Sequence, residues 1–219
     1  MKPTNIQENT LRKLFDGDHV QREQIISIQR PEMQGQLRDL MIAKKNSEQL
    51  FQILFSDLAF SSGEMKKNPD SQFWRRTTIR ALTATIDGII YCLKQMALTT
   101  GTMGEFPFTD KDKFFLSEDA SQLREGTKPR LPPFRDNIKQ TFKLFVKIYE
   151  ISCPTDFGQD GFDALCDTYE LRHRLIHPKS YMTFCVSDKE RLRAGKATVW
   201  LDSEIRKLLD SASQNLAKK

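Results

Sequence analysis

The residues of this chain that are best suited to chemistry lie close together: Arg172, His173 and His177, followed by Pro178. An imidazole can donate or accept a proton near neutral pH, and a guanidinium offers a planar pair of N–H donors that fits two phosphate oxygens. His173 and His177 stand at i and i+4, so on a helix they share one face. Two histidines without a carboxylate or thiolate at ligand spacing make a poor zinc site. These residue types therefore indicate proton transfer at a phosphate group, with no metal ion required.

A helix is predicted to carry this motif, beginning near Gly158 or Gly161. Its apolar positions recur at helical spacing: Leu165, Tyr169, Leu175 and Ile176. The helix is predicted to end at about His177, because Pro178 lacks an amide proton and disfavours the α region for the residue before it. Arg172 and His177 stand at i and i+5, roughly 140° apart around an ideal helix axis. They converge only if the last turn loosens or a second helix supplies part of the site.

Similar apolar spacing predicts further helices over residues 32–60, 70–99 and 133–152 and from residue 188 onward. Asp70 or Ser71 is expected to cap the second of these helices, and Gly101 to follow its end. Residues 61–63 are expected to end the first helix, within which a break near residues 45–46 is left open. A capping box is predicted at residues 187–190. Residues 180–186 are rich in strand-forming side chains, but we expect a connector there because a lone strand would have no pairing partner.

Asp87 and Gly88 stand in the middle of the second predicted helix, between the apolar Ile86 and Ile90. A carboxylate is costly to bury without a partner, and a glycine inside a helix costs about 1 kcal/mol relative to alanine. Both residues therefore require a compensating interaction with another part of the fold. We expect Gly88 to let another helix approach closely and Asp87 to face a cation of the motif helix. The candidate partners are Arg172, His173 and Arg174.

The least regular part of the sequence is residues 101–133, where one short helix is expected to start at Ser117. Basic residues alternate there with phenylalanines: Lys111, Lys113, Arg124, Lys128 and Arg130, with Phe106, Phe108, Phe114 and Phe115. Such a segment can contact single-stranded nucleic acid by stacking and phosphate pairing. The favoured interpretation is simpler: the phenylalanines pin the loop to the bundle and the charges stay in solvent.

Composition limits the class of protein. The chain has 219 residues, 38% hydrophobic and 29% charged, which is ordinary for a globular domain and excludes a wholly disordered chain. We expect a polar N-terminal arm with a short helix over residues 1–31 and a single domain over residues 32–217.

The apolar runs are too short to span a membrane and no apolar signal segment opens the chain, so a cytoplasmic protein is expected. Four scattered cysteines without CxxC pairing indicate neither a disulfide framework nor a zinc knuckle. A net charge of +5 permits a polyanionic partner without requiring one.

Arg172-x4-His177, with a polar residue after the arginine and a proline after the histidine, resembles the Arg-x4-6-His motif of HEPN (higher eukaryotes and prokaryotes nucleotide-binding) domains. The resemblance, with the acid on the preceding helix, covers most of residues 73–178. It implies an all-α, up-and-down bundle of four to five main helices with an irregular insertion. It also implies a homodimer in which two motif helices face one another across a two-fold axis.

The activity that this resemblance implies is a metal-independent endoribonuclease without a cofactor, of a kind common among toxins and phage-defence effectors. Arg172 would stabilise the phosphorane, His177 would act as general acid or base, and the RNA 2′-hydroxyl would be the nucleophile. His173 and Asp87 would support them, and Arg174 and Lys179 would contact RNA. An antitoxin or a nucleotidyltransferase-type protein is a further expected partner.

One departure from the family pattern is His173, which stands where asparagine or aspartate is commoner. The alternative is therefore a non-catalytic HEPN-like module that binds a nucleotide or RNA, or serves as a dimeric scaffold.

Overall fold

The computed structural model describes residues 31–119, 130–152 and 155–216. The helices in these ranges are α1 Pro31–Lys67, α2 Gln72–Met103, α3 Asp110–Ser117, α4 Phe134–Ile148, α5 Asp160–Ile176, α6 Tyr181–Phe184 and α7 Asp188–Leu216. The described ranges contain no strand, so the predicted all-α class is confirmed. The arm predicted before residue 31 lies outside them. None of the described helices is both long and apolar enough to cross a bilayer.

Helices α1 and α2 form an antiparallel hairpin. The Thr78 hydroxyl donates to the Ser61 carbonyl at 3.0 Å, and the Thr85 hydroxyl donates to the Leu54 carbonyl at 3.2 Å. Gly88 lies directly against α1, since a Cβ there would lie 2.3 Å from Leu54 Cδ1. The sequence prediction that Gly88 admits a neighbouring helix is therefore confirmed, and that helix is α1.

Three predicted helix ends were wrong: α1 and α2 continue beyond the predicted residue, and α4 ends before it. Helix α1 runs without a break through residues 45–46 and past residues 61–63 to Lys67. Helix α2 begins after its N-cap Ser71, as expected, but continues through Gly101 to Met103. Gly101 stays helical while the Phe108 ring covers it, so closely that a Cβ would lie 2.2 Å from Phe108 Cζ. Helix α4 ends at Ile148, several residues short of the predicted end.

The insertion contains a helix, but not where it was predicted. Helix α3 ends at Ser117 rather than starting there, and a capping box between Thr109 and Asp112 opens it. Phe114 and Phe115 are buried, and the other two phenylalanines of this segment pack against the core. For the described residues, the interpretation that the phenylalanines pin the loop is confirmed. Arg124 and Lys128 lie outside the described residues.

Helix α5, which carries the motif, packs against both α2 and α7. Gly161 lies directly on Trp200 of α7, and a Cβ at this glycine would be 2.4 Å from Trp200 Cβ. On the outer side of the same pair of helices, Arg193 forms ion pairs with Asp160 and Asp167. The apolar face of α5 and these salt bridges therefore hold α5 on α7, and none of these contacts involves the motif residues.

The connector after the motif is a short helix instead of an extended segment. Ser180 and Thr183 cap each other, with the Thr183 N–H donating to Ser180 Oγ at 3.2 Å and the Ser180 N–H donating to Thr183 Oγ1 at 2.9 Å. These local hydrogen bonds outweigh the strand preference of the neighbouring side chains. The capping box predicted for α7 is confirmed, since the Ser187 N–H donates to Glu190 Oε2 at 2.8 Å and the Glu190 N–H donates to Ser187 Oγ at 3.3 Å.

Candidate functional site

The motif lies at the C-terminal end of α5, where the chain leaves the bundle. Helix α5 ends at Ile176, and the His177 N–H closes the last turn on the His173 carbonyl at 3.0 Å. This end agrees with the prediction from Pro178. Both imidazoles are exposed, and the Arg172 side chain is 31% exposed. A ligand approaching this end of the bundle can therefore reach the motif.

Of the three candidate cations, Arg172 forms an ion pair with Asp87 of α2, and His173 adds a smaller electrostatic attraction. The distance from Asp87 Oδ2 to Arg172 Nη2 is 3.8 Å, an electrostatic contact that is longer than a hydrogen bond. Arg172 donates no hydrogen bond to the residues that the structure describes, so its N–H groups can bind an anionic ligand from this side. Burial raises the pKa of Asp87, and the hydrogen bond with Tyr169 and the Arg172 charge oppose that effect.

Tyr169 contacts Phe134, Arg172 and His173, although its spacing predicted only an apolar helix position. Its ring stacks on Phe134 of α4 with centroids 3.7 Å apart and planes 5° apart. Arg172 Cζ lies 5.6 Å from the same ring centroid, and the His173 ring meets it edge-on at 5.9 Å. Burial and the charge of Asp87 raise the pKa of Tyr169. The signal that was available is spacing, because Tyr169 stands three and four residues before Arg172 and His173.

An ion pair between a buried lysine and a half-exposed glutamate lies near Asp87. Lys94 of α2 is fully buried and donates to Glu118 Oε1 at 2.9 Å, while its ammonium lies 4.1 Å from the Phe115 ring centroid. Burial lowers the pKa of Lys94, and the contact with Glu118 opposes this effect. The Glu118 charge also contributes to the raised pKa of Asp87. This pair fastens the end of α3 beside the candidate site.

Arg174 and Lys179, the two predicted RNA contacts, have different environments. The Arg174 guanidinium pairs with Glu190 at 2.6 Å and donates to the Cys185 carbonyl at 3.1 Å. Arg174 therefore links α5 to the start of α7, and an RNA contact would have to compete with that ion pair. Lys179 is exposed. The RNA contacts of both residues stay predictions.

Asp87, Tyr169 and Arg172 thus come together in one chain, with His173 at their edge. No hydrogen bond joins the Arg172 and His177 side chains within the described ranges, as their angular separation on an ideal helix predicts.

No family model, curated protein or solved structure matches the chain.

Proposed function

We propose that the chain is a HEPN-type, metal-independent endoribonuclease that acts as a homodimer. The observation that carries the proposal is the contact between Asp87 and Arg172. An arginine held in place by a half-exposed carboxylate, whose N–H groups form no hydrogen bond with the residues that the structure describes, is suited to bind a phosphate whose charge increases during the reaction. His177, five residues further along the chain, supplies an exposed imidazole, the second kind of group that such cleavage needs.

In the proposed reaction the 2′-oxygen attacks the adjacent phosphorus and the bond from phosphorus to the 5′-oxygen breaks. A base takes the proton of the 2′-hydroxyl, and an acid gives a proton to the departing 5′-oxygen. His177 from each of two protomers supplies these two roles, and Arg172 stabilises the negative charge that develops on the phosphorane oxygens. The products are a 2′,3′-cyclic phosphate and a 5′-hydroxyl. DNA, which lacks the nucleophile, is expected to remain intact.

Dimerisation is part of the proposal because one chain does not bring Arg172 and His177 together. The surface around the motif also exposes large apolar side chains: Ile176 is 44%, Tyr181 77% and Met182 76% exposed. Clustered exposed apolar residues are typical of interaction surfaces. A second copy packed here would cover them and bring two motif ends to one phosphate.

The alternative is a non-catalytic HEPN-like module that holds a nucleotide or RNA. The same Asp87 carboxylate favours it in one respect, since it partly neutralises Arg172 and makes a purely structural ion pair conceivable. In that case RNA is bound but not cut.

The test is incubation of single-stranded RNA with the purified chain in EDTA, beside the variants Arg172→Ala and His177→Ala. The exposed Lys143→Ala serves as the control for any effect of purification or lost charge. We expect cleavage by the wild type and the control, and a loss of roughly 100-fold or more in each site variant. RNA binding without cleavage by all four proteins would instead support the alternative module.

A further inference from the structure

A second cationic feature lies on α2 at its N-terminal end. Arg76 and Arg80 stand one helical turn apart and converge on the same ring, that of Phe184 on α6. Arg76 Cζ lies 4.1 Å from the Phe184 centroid and Arg80 Cζ lies 5.8 Å from it. An arginine packed on an aromatic ring has fewer conformations to lose when it binds a ligand. The two guanidinium groups are therefore preorganised next to each other on the Phe184 ring.

Neither arginine has a carboxylate partner among the residues that the structure describes. Two acids at the start of α7 pair with other cations: Asp188 with Arg75 at 2.8 Å and with Arg191 at 3.5 Å, and Glu190 with Arg174 at 2.6 Å. Arg80 donates one hydrogen bond, to the Leu175 carbonyl at 3.1 Å, and a guanidinium has five N–H donors in all. The pair therefore leaves an excess of positive charge and several unused donors.

This cationic pair lies beside the proposed catalytic residues. The Leu175 carbonyl that Arg80 contacts is two residues before His177 in the sequence. Further along α2, Asp87 lies two turns after Arg80, roughly 10 Å at 1.5 Å per residue, and contacts Arg172. Helix α2 thus aligns the cationic pair and the motif along one edge of the bundle.

We propose that Arg76 and Arg80 form a phosphate-binding subsite that holds the backbone of a single-stranded RNA next to the scissile phosphate. The inference deepens the proposed function and rests on it for the choice of RNA as ligand. Two adjacent guanidinium groups with free donors suit the non-bridging oxygens of a phosphodiester. In this proposal the two arginines contact only the phosphate backbone of the RNA, so binding does not depend on the base sequence.

The test measures binding in the His177→Ala background, so that RNA is not consumed. A fluorescein-labelled single-stranded RNA is titrated by anisotropy in EDTA over a series of salt concentrations. Each phosphate contact on a single strand contributes about 0.7 to the slope of log K against log salt. We expect Arg76→Gln/Arg80→Gln to reduce that slope by about 1.4 and to weaken binding roughly 10-fold or more at 0.1 M salt. The matched control is Lys45→Gln/Lys143→Gln, two exposed lysines, which should leave the slope unchanged.

A second variant separates charge from local structure. Arg76→Lys/Arg80→Lys keeps both positive charges while losing the planar contact with Phe184, so it should retain most of the salt slope. If this variant binds as weakly as the glutamine pair, the loss comes from a loosened α6 and the subsite is overturned. Unchanged RNA binding by the glutamine pair, or an equal loss in the control, overturns it as well.

The two proposals fail in different ways. A wild type that binds RNA through Arg76 and Arg80 but never cuts it would remove the nuclease and leave the subsite. A wild type that cuts RNA, with binding indifferent to these arginines, would leave the nuclease and remove the subsite.

Discussion

The Asp87 carboxylate of α2 lies 3.8 Å from the Arg172 guanidinium of α5, and it also interacts with the Tyr169 side chain one turn earlier on α5. A single acid thus orients two side chains of the motif helix. Because that acid is half-buried and close to Glu118, its charged form carries a cost.

Asp87→Asn should not lower the melting temperature at pH 7, although we expect it to reduce RNA cleavage. Burial raises the pKa of Asp87, so the folded state holds this proton more tightly than the unfolded state. The charged carboxylate therefore costs stability once the pH exceeds the ordinary carboxyl range. The variant should gain on the wild type as pH rises from 3 to about 7. Thermal unfolding at a series of pH values measures this difference.

The exposed Asp57→Asn is the control for removal of one acid. A clear loss of melting temperature in Asp87→Asn at pH 7, absent from the control, would mean that the pair with Arg172 stabilises the fold more than burial opposes it.

The pKa of Tyr169 should fall when Asp87 is replaced by asparagine. Burial raises this pKa most, and the negative charge of Asp87 adds to the effect because it disfavours a second negative charge nearby. The measurement is an absorbance titration of phenolate in a Tyr91→Phe/Tyr149→Phe/Tyr181→Phe background, which leaves Tyr169 as the only tyrosine. A titration midpoint that does not move with Asp87→Asn would contradict the contact.

Glu118→Gln should destabilise the fold, whereas Lys94→Met should leave it equally or more stable. Lys94 is fully buried, so loss of the opposing carboxylate leaves an uncompensated charge. Glu118 is 41% exposed, which limits the expected loss to about 1–2 kcal/mol. Replacing the lysine by a methionine removes the buried charge altogether. Denaturant unfolding of both variants at pH 7 gives the comparison.

The pH dependence of this pair has a definite sign. Burial lowers the pKa of Lys94, so the cost of its charge is present below that pKa and disappears as pH rises toward the ordinary lysine value. The deficit of Glu118→Gln should therefore shrink at alkaline pH. A deficit that stays constant would point to a lost hydrogen bond instead of a lost charge.

Gly161→Ala should lower stability, because the new methyl group would meet Trp200 Cβ at 2.4 Å and neither helix backbone can easily yield. Overpacking of this kind costs about 1–3 kcal/mol, or roughly 2–4 °C for each kcal/mol. Gly195→Ala on α7 is the matched control, since nothing lies within 4 Å of its Cβ position. The control should gain about 0.5–1 kcal/mol from helix propensity. Equal responses of the two variants in thermal unfolding would contradict the close packing of α5 on α7.

Local signals in the sequence were enough to predict one end of each of three helices, α5, α2 and α7. Pro178 ends it after Ile176, Ser71 caps α2, and Ser187 with Glu190 opens α7. In each case the hydrogen bonds or steric limits act between residues only a few positions apart, so the sequence alone contains the cause. The approach of another helix to Gly88 was also predictable, since a glycine inside a helix needs a neighbour to justify it.

The tertiary structure alone decided what surrounds the motif. The stack of Tyr169 on Phe134, the choice of Arg172 as the partner of Asp87 and the ion pair of Arg174 with Glu190 join residues from different helices. Their formation depends on how α2, α4, α5 and α7 pack, and the spacing of residues within one helix does not contain that information. The sequence by itself determined which groups are available for chemistry and on which helix they lie. Packing decided which of them meet, because contacts across the bundle are set by the relative positions of whole helices.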